Sequence, residues 1–273
     1  MPDDSPASWL DTFFTSVYTD SDLELRDAAT TEAMVRCVSA ALGPAPGAAL
    51  MDLACGTGRH SVPLAAAGYR VTGVDLMPDY LDEARARARR AGQQVDFVQA
   101  DMRNLEALPS GSFDAVVSLH TSFGFFDTDE ENLAVLAQIR QVLAPGGKLL
   151  IDVMNRDWFL SQSGESFGVE PHDFVVRNFD SSSGTTYLYE ERFAPLTSRV
   201  RWHIRSVENA PANNGRERTV TADYRVYSAH ELAALLTRAG FEILGLHGDY
   251  DLAPFHVHSP HLILTATTTP REN

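Results

Sequence analysis

Lysine is almost missing from this chain of 273 residues. Lys148 is the single one among 22 basic residues, which face 37 acidic ones. We read the shortage as composition bias, but the charge balance has a physical consequence. A formal net charge of −15 repels phosphate backbones and anionic lipid. Nucleic acid and membrane surfaces are therefore not the expected partners, a local basic patch aside. Cysteine is nearly as scarce. Cys37 and Cys55 form neither a disulfide framework nor a metal-ligand spacing, so no metal is expected and a reducing cytoplasm is the simple location. No apolar run is long enough to cross a bilayer, and Met1 to Ser8 is too polar and acidic for a secretory signal. Internal repeats and long low-complexity tracts are absent too. What remains is a hydrophobic fraction of 44%, enough for the core of one large domain or of one domain with an insertion.

The most informative stretch is Ala49-Leu50-Met51-Asp52-Leu53-Ala54-Cys55-Gly56-Thr57-Gly58-Arg59-His60. An apolar run ends in an acid and passes into a Gly-X-Gly turn, and a helix is expected from Ser61 to Ala67. This reads as a buried parallel strand, a tight turn, and a helix N-terminus facing a ligand. Gly56 and Gly58 let the backbone turn sharply and come close to that ligand. A dinucleotide site wants a third glycine where this chain has Ser61, and a diphosphate would be repelled by Asp52. A carboxylate there suits a cation, such as the ammonium and sulfonium of S-adenosylmethionine (SAM). Asp75 closes the next apolar run, Tyr69 to Val74, about 20 residues beyond the turn, where a carboxylate grips a ribose diol.

Asp52-Leu53-Ala54-Cys55-Gly56-Thr57-Gly58 resembles the first motif of the class I SAM-dependent methyltransferases. The similarity continues through Gly73-Val74-Asp75, Ala100-Asp101-Met102 and Leu143-Ala144-Pro145-Gly146-Gly147. It covers about residues 48 to 155 and returns weakly at Glu231 to Phe241. It implies an α/β fold: a Rossmann-like, doubly wound, mostly parallel seven-stranded sheet, here with an N-terminal helical cap and an inserted antiparallel β segment. It also implies SAM as cofactor. The contacts would be Asp52, Ala54, Gly56, Gly58, Asp75, Leu76, Met77, Asp101, Met102 and Ser118. Asp101 would accept from the adenine amino group, and Met77 or Met102 would pack on the ring or simply fill the core. The loop after the fourth strand, His120-Thr121-Ser122-Phe123-Gly124-Phe125-Phe126, would lie beside the transferred methyl, with Phe123 and Phe126 as acceptor contacts. The aromatic segment Trp9 to Tyr18 would be a lid with Tyr18 near the sulfonium, or a helix that only packs its apolar face.

Strand and helix alternate from Ala48 onward, the pattern of a parallel sheet covered on both faces. Helices are expected from Thr30 or Thr31 to Leu42, from Pro78 to Gly92 and from Asp129 to Leu143. Residues 160 to 220 alternate at period two, best in Arg199-Val200-Arg201-Trp202-His203-Ile204-Arg205, and predict three or four antiparallel strands. Asn209 to Gly215 reads as a loop. Ser228 and Glu231 form a capping box for a last helix that Gly240 stops, and a final strand pair follows. The expected organisation is a cap over 1–45, a cofactor-binding domain over 46–158 and 221–268, and an insertion over 159–220. That insertion would roof the acceptor site or form the interface of a homo-oligomer.

Methyl transfer needs alignment above all, and a base when the acceptor is a hydroxyl or a carbon acid. The candidates are His120 first, then Tyr18, His256, His258, Glu190 and Glu191; His120 could equally be a packing residue. His256 and His258 sit on a connection that reaches the acceptor side or forms a surface hairpin. Alternation places one of Glu190 and Glu191 outward. The leading reading is methylation of a small molecule, a specialised metabolite, at nitrogen before oxygen and carbon. The alternative is a SAM-binding protein without methyl transfer, a cyclase or a regulator.

Overall fold

The computed structural model describes residues 9–18, 28–43, 46–165, 174–180, 184–208 and 217–269. The chain opens with α1 (Trp9–Phe13), continued by a π-helical turn (Phe14–Tyr18), and α2 (Ala28–Leu42). Then come β1 (Ala49–Leu53), α3 (Ser61–Ala66), β2 (Arg70–Asp75), α4 (Pro78–Arg90) and β3 (Asp96–Gln99). β4 (Phe113–Ser118), α5 (Asp129–Val142), β5 (Leu143–Met154) and α6 (Arg156–Glu165) follow. Four strands come next: β6 (Phe174–Asp180), β7 (Thr185–Ala194), β8 (Arg199–Glu208) and β9 (Glu217–Arg225). The chain closes with α7 (Ala229–Arg238), β10 (Phe241–His247) and β11 (His261–Thr268). The polar start, residues 1–8, and the expected loop, residues 209–215, lie outside the described residues.

Two compact units result: unit 1 is Met1–Arg26 with Leu160–Val226, and unit 2 is Asp27–Phe159 with Tyr227–Asn273. α2, placed with the cap by the sequence, is part of unit 2.

Unit 2 holds a seven-stranded sheet in the order β10-β11-β5-β4-β1-β2-β3. β1 to β5 run parallel, and β11 and β10 are added antiparallel at one edge. This is the expected doubly wound fold. Every residue of β1 is buried, as a central strand covered on both faces requires. One side of the core joins Met34 and Val38 of α2 and Leu64 of α3 to Leu50, Val117, Leu150 and Ile263 of four adjacent strands. Each such side chain contributes about 1.5–3 kcal/mol by leaving water. Lys148 reaches across from β5 and donates to the carbonyl of Leu42 at 2.9 Å, closing the C-terminus of α2. From β1 the strand order runs outward in both directions, to β2 and to β4. The crevice between them opens at their carboxyl ends, where ligands bind in such sheets.

Two local expectations change. Ala144 to Gly147 does end α5, but these residues form the irregular start of β5, with a register shift opposite Phe113 and Ala115. Residues 156–165 are helical, where period two was read from 160. Asn155 explains this: its side-chain oxygen accepts from the Asp157 amide at 3.0 Å, an N-cap that starts α6.

Unit 1 contains a four-stranded antiparallel sheet, β6-β7-β8-β9. Its alternation is the predicted one. Tyr187, Tyr189, Val200, Ile204, Val220 and Ala222 are buried on one face, and Phe13 and Val17 join the same cluster.

Candidate active site

The turn after β1 is built by main-chain geometry. Ala54 adopts φ 59°, Gly56 φ 54° and Gly58 φ 76°, all left-handed. The two glycines answer different needs. A Cβ on Gly58 would lie 3.0 Å from that of Ala84 and 3.3 Å from the Phe97 ring, so Gly58 lets α4 and β3 pack close. A Cβ on Gly56 would meet nothing within 4 Å, so the backbone there faces open space.

Asp75 holds this turn in place. One carboxylate oxygen accepts the Gly56 amide at 2.8 Å, and the other accepts the Met77 amide at 2.9 Å. Its pKa is raised by burial, against which the Met77, Gly56 and Leu76 amides pull it down. Beside it, Leu76 is 42% exposed, an apolar side chain at the crevice rim.

Asp52 is deeper, at 1% exposure. Burial pushes its carboxyl up to about 7, helped by the nearby charge of Asp75 and opposed by Ser61 and Arg59. Ser61 Oγ donates to Asp52 Oδ2 at 2.6 Å. Ser61 thus has a positive role that its reading as a missing glycine overlooked. His60 beside it is buried, with Nε2 3.3 Å from Met34 Sδ, and burial first, then Arg59 and His120, hold its pKa well below the ordinary value.

Asp101 follows β3 and Ala100, and it is engaged by Arg103, a residue the sequence reading passed over. The guanidinium lies 2.7 Å from Asp101 and 2.8 Å from Glu131, and its carbon stands 4.3 Å from the centroid of the Phe126 ring. Burial works to raise the Asp101 carboxyl, but the hydrogen bonds and charge of Arg103 outweigh it and hold it below its usual range. Phe126 is therefore a stacking partner of Arg103. Met102 is half-buried and Met77 likewise.

Ser118 ends β4 at 1% exposure. His120 and Thr121 after it both take φ 59°, a conformation that costs about 1–2 kcal/mol each for a residue with a Cβ. Asp152 of β5 holds the strained pair. Its Oδ2 accepts the His120 amide at 3.1 Å, and its main-chain oxygen accepts the Thr121 amide at 3.0 Å. Phe123, expected to wall the acceptor, is 2% exposed and packs on Tyr227 with ring centroids 5.7 Å apart. It is a core residue because Tyr227, bridged to Asn155, fills the space beneath the loop.

His256 and His258 are exposed, in a turn closed by the Ser259 amide on the His256 carbonyl at 2.8 Å. The histidine of this region that meets a carboxylate is His261, 3.3 Å from Asp152. Tyr18 lies in unit 1, half-buried against Phe13 and Phe14. Of the two adjacent acids on β7, Glu190 points outward to Arg192 and Glu191 is buried.

Residues 50–147 match a family model described as a methyltransferase domain. The chain is 36% identical over 204 residues to the putative methyltransferase YqeM of Bacillus subtilis (strain 168), covering 74% of this chain and 76% of that one. It is 37% identical over 119 residues to a ubiquinone biosynthesis O-methyltransferase of Xanthomonas axonopodis pv. citri (strain 306). That match spans 44% of this chain and only 48% of the relative. Among solved structures, SAM-bound CalS10 of Micromonospora echinaspora, an amino pentose methyltransferase involved in calicheamicin biosynthesis, superposes with a TM-score of 0.64. It is 25% identical, over 93% of this chain and 97% of that one.

Proposed function

Because this chain belongs to the class I SAM-dependent methyltransferases, we propose that it moves a methyl group from SAM to a small-molecule acceptor, at nitrogen in preference to oxygen. SAM is the cofactor, and the residues at the crevice fit it. The observation that carries the reading is Asp75, whose two oxygens clamp the Gly56 and Met77 amides beside a backbone that faces open space. A carboxylate so fixed retains lone pairs for a ribose diol. Leu76, with Met77 or Met102, offers apolar surface to a base, and Asp101 offers an acceptor whose charge Arg103 preserves. Ala54, Gly56 and Gly58 supply main-chain contacts, and Ser118 stands at the end of β4 on the same edge.

When bound, SAM supplies an activated methyl on a positively charged sulfur. The chain's own part is alignment and electrostatics. Asp52, buried below the turn, acts on that charge through its field, and the Ser61 hydrogen bond orients it. The loop His120 to Phe126 is the proposed acceptor side, with His120, Phe126 and His256 as contacts; Phe123 serves by supporting the loop from below. Nitrogen is preferred because one structural relative that matches along nearly the whole chain is described as an amino pentose methyltransferase. The O-methyltransferase relative matches only part of its length.

Calorimetry with SAM and with its demethylated product tests the first step, and no binding of either refutes it. Mass spectrometry of candidate acceptors tests the second. A product heavier by one methyl with demethylated cofactor supports transfer, and a product of unchanged mass supports a cyclase or regulator.

A further inference from the structure

We propose that His261 is the base that takes the acceptor's proton, with its tautomer set by Asp152 and Tyr250. The inference rests on the methyl-transfer reading above and concerns unit 2 alone. β11 runs antiparallel to β5, so its first residue, His261, stands opposite Met154 at the carboxyl end of β5. That is the edge of the sheet bearing the glycine turn, Asp75 and the loop after β4.

Asp152 is 1% exposed, and both of its carboxylate oxygens are engaged. Oδ2 accepts the His120 amide at 3.1 Å and the Tyr250 hydroxyl at 3.0 Å, and Oδ1 lies 3.3 Å from His261 Nδ1. A neutral imidazole carries one proton, on either nitrogen. A lone pair on Nδ1 would face the carboxylate and repel it. A proton on Nδ1 makes a charge-assisted hydrogen bond instead. The Tyr250 hydroxyl is also 3.3 Å from Nδ1, but its proton goes to the nearer Asp152 Oδ2. Burial, and then the charge of Asp152, push the Tyr250 phenol well up, so it stays a neutral donor. Its ring packs on the imidazole with centroids 4.4 Å apart.

Nδ1 therefore holds the proton and Nε2 carries the lone pair. No described residue hydrogen-bonds Nε2, and the side chain remains 33% exposed. A buried acid behind an imidazole, fixing its tautomer and compensating the charge it gains, is the arrangement of a general base. Among the described residues, other titratable groups bear on this cluster. Cys37 of α2 feels Asp152, Asp249 and Asp251, and burial with those charges pushes its thiol up to about 12. Arg59 of the glycine turn bears on both Tyr250 and Asp52. In the step, the acceptor's N–H or O–H bond breaks and the proton passes to Nε2. From a hydroxyl or an ammonium acceptor the heteroatom keeps the pair of the broken bond and bonds the methyl carbon with it; a neutral amine bonds the methyl carbon with its own lone pair and gives the N–H proton of the resulting ammonium to Nε2. In each case the old methyl–sulfur pair stays on sulfur. The imidazolium keeps Nδ1–H on Asp152 and returns its proton to water.

Long-range proton–nitrogen NMR of the full chain with labelled histidine reads the tautomer with no acceptor present, His261→Gln assigning the signal. The expected result is a protonated Nδ1 and a bare Nε2 at alkaline pH; a protonated Nε2 overturns the proposal. Benzylamine and catechol then serve as acceptor probes, with demethylated cofactor as the readout. With a probe that turns over, H261Q lowers kcat about 100-fold or more. It leaves SAM affinity by calorimetry unchanged. Unchanged kcat in H261Q overturns the proposal. If neither probe turns over, the tautomer alone decides. Failure of the native chain to bind SAM is a separate result, which sinks the methyl-transfer reading.

Discussion

Asp52→Asn gives the sharpest test of the electrostatics beneath the turn. The folded protein holds this carboxyl near 7 against an ordinary 3.8, chiefly because it is buried. Between those two pH values the folded chain binds a proton that the unfolded chain has released. Stability from this group therefore falls as pH rises through that window, and above it the full cost is present. A tenfold change in proton affinity is worth about 1.4 kcal/mol, so the cost approaches about 4 kcal/mol as an upper figure. Asparagine is nearly isosteric, keeps an acceptor for Ser61 Oγ and carries no charge. The stability of the variant minus that of the native chain should be near zero at pH 4. It should rise to a plateau above about pH 7, measured by denaturant unfolding along a pH series. A difference that does not depend on pH would refute the reasoning. The same linkage predicts proton release when SAM binds below about pH 7, because a nearby sulfonium favours the ionised acid. Calorimetry in buffers of different ionisation enthalpy measures it.

Asp75→Ala should weaken SAM binding by two orders of magnitude or more in calorimetry while circular dichroism stays native, since the loss includes the clamp on the turn as well as the diol contact. Gly73→Ala places a Cβ 2.7 Å from the Phe97 ring and 2.9 Å from Cys55 Sγ. Overpacking of that kind costs about 1–3 kcal/mol, read as a lower denaturation midpoint. Arg103→Ala removes the partner that keeps Asp101 below its ordinary pKa. The affinity for SAM should then fall more at acidic pH than at neutral pH, and a pH-independent loss would count against a role for the Asp101 charge.

The doubly wound sheet was legible because its signals are local and repeated. β1 is apolar but for Asp52, the glycines stand just beyond it, and an acid lies near the carboxyl end of β1, at the end of β2 and just past β3. The capping box at Ser228 and Glu231 was equally legible and forms as read, with the Glu231 amide donating to Ser228 Oγ at 3.3 Å. Partnerships across the fold were not legible. Ser61 and Asp52 are nine residues apart in sequence, yet only the turn between them makes them a pair. Arg103 bridges Asp101, in the loop after β3, and Glu131 of α5, and sequence order does not announce that meeting. Asp152, Tyr250 and His261 meet because β11 returns antiparallel to β5, a pairing that no spacing in the chain encodes. Phe123 looked like a pocket wall because it is aromatic and follows β4, whereas Tyr227, far along the chain, claims its surface. Asn155 caps α6 through the Asp157 amide, a contact that ends the strand pattern sooner than the alternation from 160 suggests.

The solitary lysine gives the molecule a built-in reporter. A protease that cuts after lysine has one address, in the middle of β5, between β4 and β11 and tied to the end of α2. Scission there requires the central sheet to come apart, so the digestion rate clocks the opening of unit 2 by itself, whatever the other unit does in the meantime.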